Sequence, residues 1–174
     1  MDDLSRWFEP LDRAWAAAAA RGNPAPGPVA VLFSGGVDSG LLAWEFRGRA
    51  GVTLSTVGVP GSRDLLTAAS AAPLLGIPWR GVRIGPEDVR ALERELDADL
   101  DGLTPTARSV QVAFACAVRA AADGEILCGQ GVDELFLGYA HFRGLAPFEA
   151  ERRALADLHR LRSDDWPRAI RIAR

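Results

Sequence analysis

The sequence predicts an α/β fold, a doubly wound, Rossmann-like parallel sheet covered by helices on both faces. Two observations predict it: short apolar segments alternate with longer helical ones, and Gly-rich turns follow the first and the fourth apolar segment. Such alternation implies right-handed crossovers, which bring the carboxyl ends of parallel strands to one edge of the sheet. If the first and fourth strands are neighbours, the two turns face each other across a cleft.

Four segments have the composition of strands. The second is the clearest, because its β-branched and apolar residues suit a strand that is buried on both faces. The third alternates apolar and polar residues, and the fourth is short. The predicted strands are Val29–Phe33, Val52–Val59, Trp79–Ile84 and Glu125–Cys128.

The segments between and around these strands have helical patterns. Ser62 is a candidate cap for one helix and Gly76 ends it, while Pro86 suits the first turn of the next helix. The predicted helices are about Leu4–Arg21, Asp38–Arg47, Arg63–Leu75, Pro86–Leu100 and Ala107–Ala122, and the pattern is helical again from Ala146 to the end, with a last short helix opening at Asp165-Trp166-Pro167.

Length and composition indicate one globular domain in residues 1–174, with an N-terminal helix in residues 1–24 and a helical C-terminal segment in residues 145–174. The net charge of −3 argues against a nucleic-acid partner, which requires a strongly basic face. No apolar run is long enough to span a membrane, and no signal-peptide layout is present. We therefore expect a cytoplasmic protein that binds neither nucleic acid nor membranes.

The first Gly-rich turn reads Ser34-Gly35-Gly36-Val37-Asp38-Ser39 and lies between a buried strand and a helix start. Backbone N–H groups and the helix dipole favour an anion at such a position, and glycines let the backbone wrap a phosphate. The two serines add hydroxyl donors, and Asp38 offers a hard oxygen ligand for Mg²⁺ on the phosphates. The turn therefore predicts a phosphate site, and it is not of the Walker type.

The second Gly-rich turn reads Gly129-Gln130-Gly131-Val132-Asp133-Glu134 and follows the fourth strand. A Gly-x-Gly at a strand end allows a base or ribose to approach the backbone closely. Asp133 at the following helix start is able to reach the same metal cluster as Asp38. A plain turn with an ordinary acidic first-turn pair is the alternative interpretation.

Together the two turns resemble the asparagine synthetase C-terminal (synthetase) domain family, within the N-type ATP pyrophosphatases or PP-loop proteins. The first turn is similar to the pattern S-G-G-x-D-S. The second is similar to S-G-E-G-x-D-E-L/V-F-G-G-Y, and the similarity spans about Val29 to Phe142, with a weaker echo to Arg174. The resemblance implies a fold of the adenine nucleotide alpha hydrolase type. It also implies adenylation of a carboxylate by ATP, after which ammonia or an amine displaces AMP to form an amide.

The resemblance also implies roles for individual residues. The pyrophosphate loop maps onto Ser34, Gly35, Gly36 and Ser39, and the Mg²⁺-binding carboxylates map onto Asp38 and Asp133. Residues that hold the adenosine, largely through the backbone, map onto Leu32, Val57, Cys128 and Gly129. The implied catalytic residues are Asp38, Asp133 and Gln130, and the implied cofactors are ATP and Mg²⁺.

The sequence departs from the family pattern in ways that bear on activity. Gln130 stands where the family has a catalytic-site glutamate, and glutamine cannot act as a general base. Leu137 replaces a glycine of the G-G-Y ending. The chain has no lysine, whereas the family places one against the pyrophosphate, and Asp2 stands where the family's glutaminase domain has its nucleophilic cysteine.

These departures leave three function classes open. The leading interpretation is an ATP-dependent amide-forming ligase core that uses ammonia or an amine supplied by something else. The second is a nucleotide-binding subunit that is catalytically incomplete, and the third is sulfur transfer, which requires a reactive Cys116 or Cys128. We expect a homo- or hetero-oligomer, with a separate ammonia-supplying or C-terminal-half subunit, and motivate it by Leu155, Leu158, Leu161, Trp166, Ile170 and Ile172.

Overall fold

The structure is a computed structural model that describes residues 9, 12–17, 20, 27–121 and 124–165. Its strands are β1 (Val29–Leu32), β2 (Val52–Gly58), β3 (Trp79–Arg83) and β4 (Glu125–Leu127). All neighbouring strands are parallel, in the order β3-β2-β1-β4, and Val29 is in register with Val52 on one side and Glu125 on the other. The α/β class and the four predicted strands are therefore confirmed.

The helices are α1 (Val37–Phe46), α2 (Arg63–Leu75), α3 (Pro86–Glu95), α4 (Asp97–Leu100), α5 (Pro105–Ala120), α6 (Val132–Phe136) and α7 (Pro147–Arg160). A 3-10 turn covers Ala140–Phe142, and a π turn covers Leu161–Asp165. One helix boundary was predicted wrongly, because the backbone leaves the helical region at Leu96 (φ −93°, ψ 7°) and divides the predicted Pro86–Leu100 helix.

Both ends of the chain carry predictions that the structure tests only in part. Residues 9, 12–17 and 20 are helical, and the rest of the predicted N-terminal helix lies outside the described residues. The helix predicted to open at Asp165-Trp166-Pro167 also lies outside them, apart from Asp165. None of the helices in the described part of the chain is long and apolar enough to cross a bilayer.

Separate apolar clusters cover the two faces of the sheet. One joins Val31 and Leu54 of the strands to α1 and α2 through Ala43 and Ala68. The other packs α3, α4 and α5 around Leu92, Leu100 and Val112, with Val57 of β2 at its margin. Because helices shield both faces, the carboxyl edge of the sheet is the natural place for a ligand.

Candidate functional site

The turn after β1 is organised by its own serine hydroxyls. Ser34 Oγ lies 3.2 Å from Ser39 Oγ and accepts a hydrogen bond from the backbone N–H of Gly36 at 3.3 Å. Ser39 is buried and donates its hydroxyl to the carbonyl of Gly36 at 3.3 Å. Since the turn closes on itself, its backbone amides are fixed before any ligand arrives.

Gly35 is the residue that ties this turn to the rest of the fold. Its φ of +77° lies in the left-handed region, which side chains rarely adopt. A Cβ at this position would stand 2.7 Å from the backbone of α2, at the carbonyl carbon of Thr67 and the nitrogen of Ala68. Both the conformation and the close approach therefore require glycine here.

The start of α1 presents open donors. Gly36 is the N-cap of this ten-residue helix and supplies no side-chain cap, so the first-turn N–H groups have no partner from a capping side chain. On the neighbouring strand β2, the buried Thr56 donates its hydroxyl to the carbonyl of Phe33, which follows β1, and Trp79 Nε1 donates to Thr56 Oγ1 at 2.9 Å. These bonds fix the point from which the turn leaves the sheet.

The turn after β4 lies directly against the turn after β1. A Cβ on Gly129 would meet the carbonyl carbon and Cβ of Asp38 at 3.2 Å and the nitrogen of Ser39 at 3.3 Å. The pairing of β4 with β1 explains this contact, because parallel neighbours end at the same edge. The predicted adjacency of the two turns is confirmed.

The contact brings carboxylates from both turns together. Burial raises the pKa of Asp38 above its usual value, and the negative charges of Asp133 and Glu134 raise it further. Within the described residues, no group of three or more His, Cys, Asp or Glu side chains is arranged to hold a metal by itself. A pair of carboxylates nevertheless fits Mg²⁺, which commonly takes one or two protein carboxylates plus the phosphates of a bound nucleotide.

Glu134 is a functional candidate that the sequence did not single out. It is 7% exposed and accepts a hydrogen bond from the hydroxyl of Tyr139 on Oε1 at 3.1 Å. Its Oε2 has no hydrogen-bond partner among the described residues. Burial, followed by the charge of Glu134, raises the pKa of Tyr139 to about 12. The sequence shows only an acidic pair at a helix start, which gives no signal that one of its members is buried.

The end of the short helix α6 holds Asp133 in place. The carboxylate of Asp133 lies over Gly138, where a Cβ would stand 2.1 Å from Oδ1, and the N–H of Gly138 donates to the carbonyl of Asp133 at 2.9 Å. Leu137 adopts φ +56° and ψ +36°, a conformation that favours glycine. The leucine at the family's glycine position therefore keeps the left-handed turn at a cost in strain.

A cavity of about 290 Å³ opens beside β2 and β3 on the same edge of the sheet. Val57 is half-buried and forms part of its lining, whereas Leu32 is half-buried at the end of β1. The lining is mostly apolar and comes from the end of β2, the residue that follows β3, and helices α3 and α5: Val57, Gly58, Val59, Ile84, Val89, Glu93, Ser109, Val112, Ala113 and Cys116. The cavity is thus open to a flat apolar group.

Gln130 opens onto a different cavity, of about 330 Å³, between α6 and α7. Its other lining residues are Gly131, Val132, Leu135, Leu158, Leu161 and Arg162. Three of them, Leu158, Leu161 and Arg162, lie at the end of α7 or just after it. The sequence analysis used Leu158 and Leu161 to motivate a partner chain and did not connect them to the second turn.

The two cysteines and the predicted cap Ser62 lie outside the contact between the two turns. Cys116 is buried, and burial raises the pKa of its thiol, while Cys128 is half-buried after β4. Ser62 stands at the N-cap of α2 as predicted, but its hydroxyl makes no capping bond and instead points toward Gly58, where a Cβ would lie 2.3 Å from Ser62 Oγ. The prediction of a side-chain cap at Ser62 is therefore wrong.

Comparisons with known proteins agree with this geometry. Residues 11–173 match the family model described as asparagine synthase. Over 160 residues the chain is 30% identical to a Methanocaldococcus jannaschii protein named "Putative asparagine synthetase (glutamine-hydrolyzing) 1". That match covers 88% of this chain and 30% of the relative, so the chain spans less than a third of the relative's length. The family implies the use of ATP. Because the family model covers nearly all of the sequence, both Gly-rich turns included, the chain belongs to the asparagine synthase family.

Proposed function

We propose that this domain binds ATP with Mg²⁺ at the two facing turns and catalyses adenylation of a substrate carboxylate. The carboxylate oxygen bonds to the α-phosphorus, pyrophosphate leaves, and ammonia or an amine then displaces AMP to give an amide. The observation that carries this proposal is the contact of Gly129 with Asp38 and Ser39, because it joins a phosphate-type turn to a second carboxylate-bearing turn.

The order of features along the sheet edge supports ATP in one orientation. The apolar cavity lies beside β2 and β3, the serine-glycine turn follows β1, and the second turn follows β4. Adenine beside Val57 would leave the phosphates at Ser34 and Ser39. The reacting carboxylate would then lie near the second turn.

The chain's own residues contribute mainly by positioning and by charge. The first-turn amides of α1 and the hydroxyls of Ser34 and Ser39 would hold the pyrophosphate, and Asp38 and Asp133 would hold Mg²⁺. When bound, the ion neutralises charge on the departing pyrophosphate. Gln130 donates or accepts hydrogen bonds but does not take up a proton at neutral pH, so it orients a substrate without acting as a base.

Two assays test the proposal in sequence. Calorimetry with ATP and Mg²⁺ checks binding, and incorporation of labelled pyrophosphate into ATP in the presence of candidate acids checks adenylation. Binding of ATP together with acid-dependent exchange is the expected result. A folded sample that shows no binding at millimolar nucleotide would overturn the proposal.

A second candidate function is nucleotide binding without catalysis. It is favoured by Gln130 at the family's glutamate position and by the absence of lysine from the sequence. The variant Gln130→Glu distinguishes the two functions, with Gln130→Met as a control that changes the same exposed side chain without adding a carboxylate. Exchange that appears only in Gln130→Glu would favour the incomplete module, whereas exchange in the parent chain favours the ligase core.

Sulfur transfer is a weaker alternative on physical grounds. It needs an accessible thiolate, and burial raises the pKa of the Cys116 thiol and keeps it protonated. Cys128 is half-buried beside the second turn. Formation of an amide from ammonium and a substrate acid, persisting in Cys128→Ser, would remove this alternative, because amide formation requires no thiol.

The proposed partner chain rests on apolar side chains beyond the second turn. Phe136 and Phe148 are exposed, as is Leu155, whereas Leu158 is half-buried and Leu161 is buried. The remaining residues that motivated the partner, Trp166, Ile170 and Ile172, lie outside the described residues. Light scattering tests association, and formation of asparagine from aspartate and an ammonium salt by a strict monomer would refute the need for a partner.

A further inference from the structure

We infer that the cavity between α6 and α7 is the binding site for the acid that is adenylated, and that this acid has an aliphatic body and a second acidic group. The inference rests on the proposed function, because it assigns a substrate class to the same site. Its basis is the position of the cavity, the composition of its walls and the charge at its rim.

The cavity adjoins the nucleotide site through consecutive residues. Gly129 contacts Asp38 at the start of α1, and the next two residues, Gln130 and Gly131, line the cavity. A molecule in the cavity would therefore extend toward the phosphates along Gln130. The amide of Gln130 provides a donor and an acceptor for the reacting carboxylate at this border.

The walls favour an aliphatic body over a small polar one. Val132, Leu135, Leu158 and Leu161 surround most of the space, and Leu161 is only 5% exposed. The ammonium group of aspartate would have no acidic partner among the lining side chains, and burying it there is costly. A chain of methylene groups instead gains from removing its apolar surface from water.

Arg162 supplies the only charged side chain of the lining. Among the described residues it has no ion-pair partner, while the neighbouring Arg160 lies 3.4 Å from Asp157. A guanidinium beside an apolar cavity is suited to a carboxylate, which it binds through paired hydrogen bonds. If one carboxylate reacts near Gln130, a second acidic group is the chemistry that matches Arg162.

Direct binding measurements with three probe acids test this class. Calorimetry on the chain with AMP present would compare adipate, hexanoate and aspartate. We expect adipate to bind most tightly, hexanoate about tenfold more weakly because it lacks the second carboxylate, and aspartate most weakly. Aspartate binding as tightly as adipate, or no binding by any of the three, would overturn the inference.

Filling the cavity tests its location. Leu135 is 64% exposed, so Leu135→Trp changes the cavity wall without adding volume to a core, and Leu155→Trp is a matched control at a position that is 59% exposed and outside the lining. Loss of adipate binding in Leu135→Trp alone is the expected result. Equal binding by the two variants would show that the acid binds elsewhere.

Replacing Arg162 tests whether the bound acid needs a second acidic group. Arg162 is exposed, so its replacement should disturb the fold little. Arg162→Gln should weaken adipate binding about tenfold and leave hexanoate binding unchanged, so that the preference between the two acids disappears. Arg153→Gln, an exposed position on α7 outside the lining, is the matched control. An unchanged preference in Arg162→Gln would overturn the role of this arginine.

The experiments separate this inference from the proposed function. Adipate binding that depends on Leu135 and Arg162, without any pyrophosphate exchange, would support the cavity and overturn adenylation. Exchange that is stimulated by aspartate and unaffected by Leu135→Trp would support adenylation and overturn the cavity as the acid site.

Discussion

The turn after β1 is held by its own atoms, whereas the turn after β4 is held by residues that follow it. Ser34 and Ser39 bond to each other and to Gly36 within the first turn. In the second region, Asp133 is held by Gly138, and Glu134 by the hydroxyl of Tyr139. The first turn also packs on the backbone of α2, while the second ends in a leucine with φ +56°.

This difference matches where the sequence keeps and where it leaves the family pattern. The first turn keeps every serine, glycine and aspartate of the pattern, and in it Ser34 and Ser39 are hydrogen-bonded while Gly35 packs on α2. The second has Gln130 and Leu137 at pattern positions, both of them exposed. The second turn, which is stabilised by residues that follow it in the chain, thus tolerates substitution at positions whose side chains face solvent.

The largest effect on stability is expected for Gly35→Ala in the turn after β1. The positive φ and the approach to α2 together should lower the free energy of unfolding by about 3 kcal/mol and abolish nucleotide binding. Gly61→Ala is the control, because Gly61 has φ +80° with no atom within 4 Å of an added Cβ, so it reports the conformational cost alone. Similar losses for the two variants in urea unfolding would show that packing on α2 contributes nothing.

Asp38→Asn removes the negative charge that Asp38 places beside Asp133 and Glu134. Mg·ATP binding should weaken at least tenfold, and AMP binding much less, because only the triphosphate requires the cation. The control is Asp64→Asn, in the first turn of α2, where an exposed aspartate also faces a helix N-terminus. Equal losses for Mg·ATP and AMP in calorimetry would identify Asp38 as a structural residue.

Asp38→Asn should weaken Mg·ATP binding but raise the free energy of unfolding at neutral pH. The folded-state pKa of Asp38 is raised, so its contribution to stability is present at low pH and is lost as the pH rises through that pKa. Asp38→Asn should therefore unfold at higher urea than the parent at neutral pH. The gain should vanish once the pH falls below 3.8, the ordinary value for aspartate. A gain that is independent of pH would contradict the electrostatic cause.

Tyr139→Phe tests how far the hydrogen bond from Tyr139 to Glu134 stabilises the second turn. It leaves both oxygens of the buried Glu134 without a donor among the described residues, and should lower the free energy of unfolding by about 1 kcal/mol at neutral pH. Because the pKa of Tyr139 is raised from 10.0 to about 12, the parent should lose stability between these pH values, and the variant should not. Tyr139 is the only tyrosine, so tyrosinate absorbance reports it directly. A midpoint near 10 would show that partial desolvation and the charge of Glu134 do not raise the pKa of Tyr139.

Leu137→Gly gives the smallest expected effect and relieves strain in the second turn. Glycine removes the left-handed penalty, which outweighs the partial burial of a side chain that is 41% exposed, so stability should rise by about 0.5 kcal/mol. Leu135→Gly, within α6, is the control and should destabilise by about 1 kcal/mol. If both variants destabilise to the same extent, the leucine side chain at 137 contributes more by packing than the backbone loses by strain.

The sequence by itself determined the features that depend on local periodicity and on turn chemistry. Strand and helix alternation, the boundaries of α2 and the position of both Gly-rich turns follow from which residues are apolar and where glycine stands. The full order β3-β2-β1-β4 came from the structure, because alternation alone is compatible with several strand orders. The break at Leu96 was missed, since the apolar pattern of α3 continues across it.

Only the tertiary structure decided which side chains meet. Glu134 is buried and accepts the hydroxyl of Tyr139, and Gln130 shares a cavity with Leu158 and Arg162 because α7 packs beside α6. Burial and long-range neighbours depend on contacts between segments that are distant in the chain. A local pattern therefore locates the two Gly-rich turns but not the walls of the site around them.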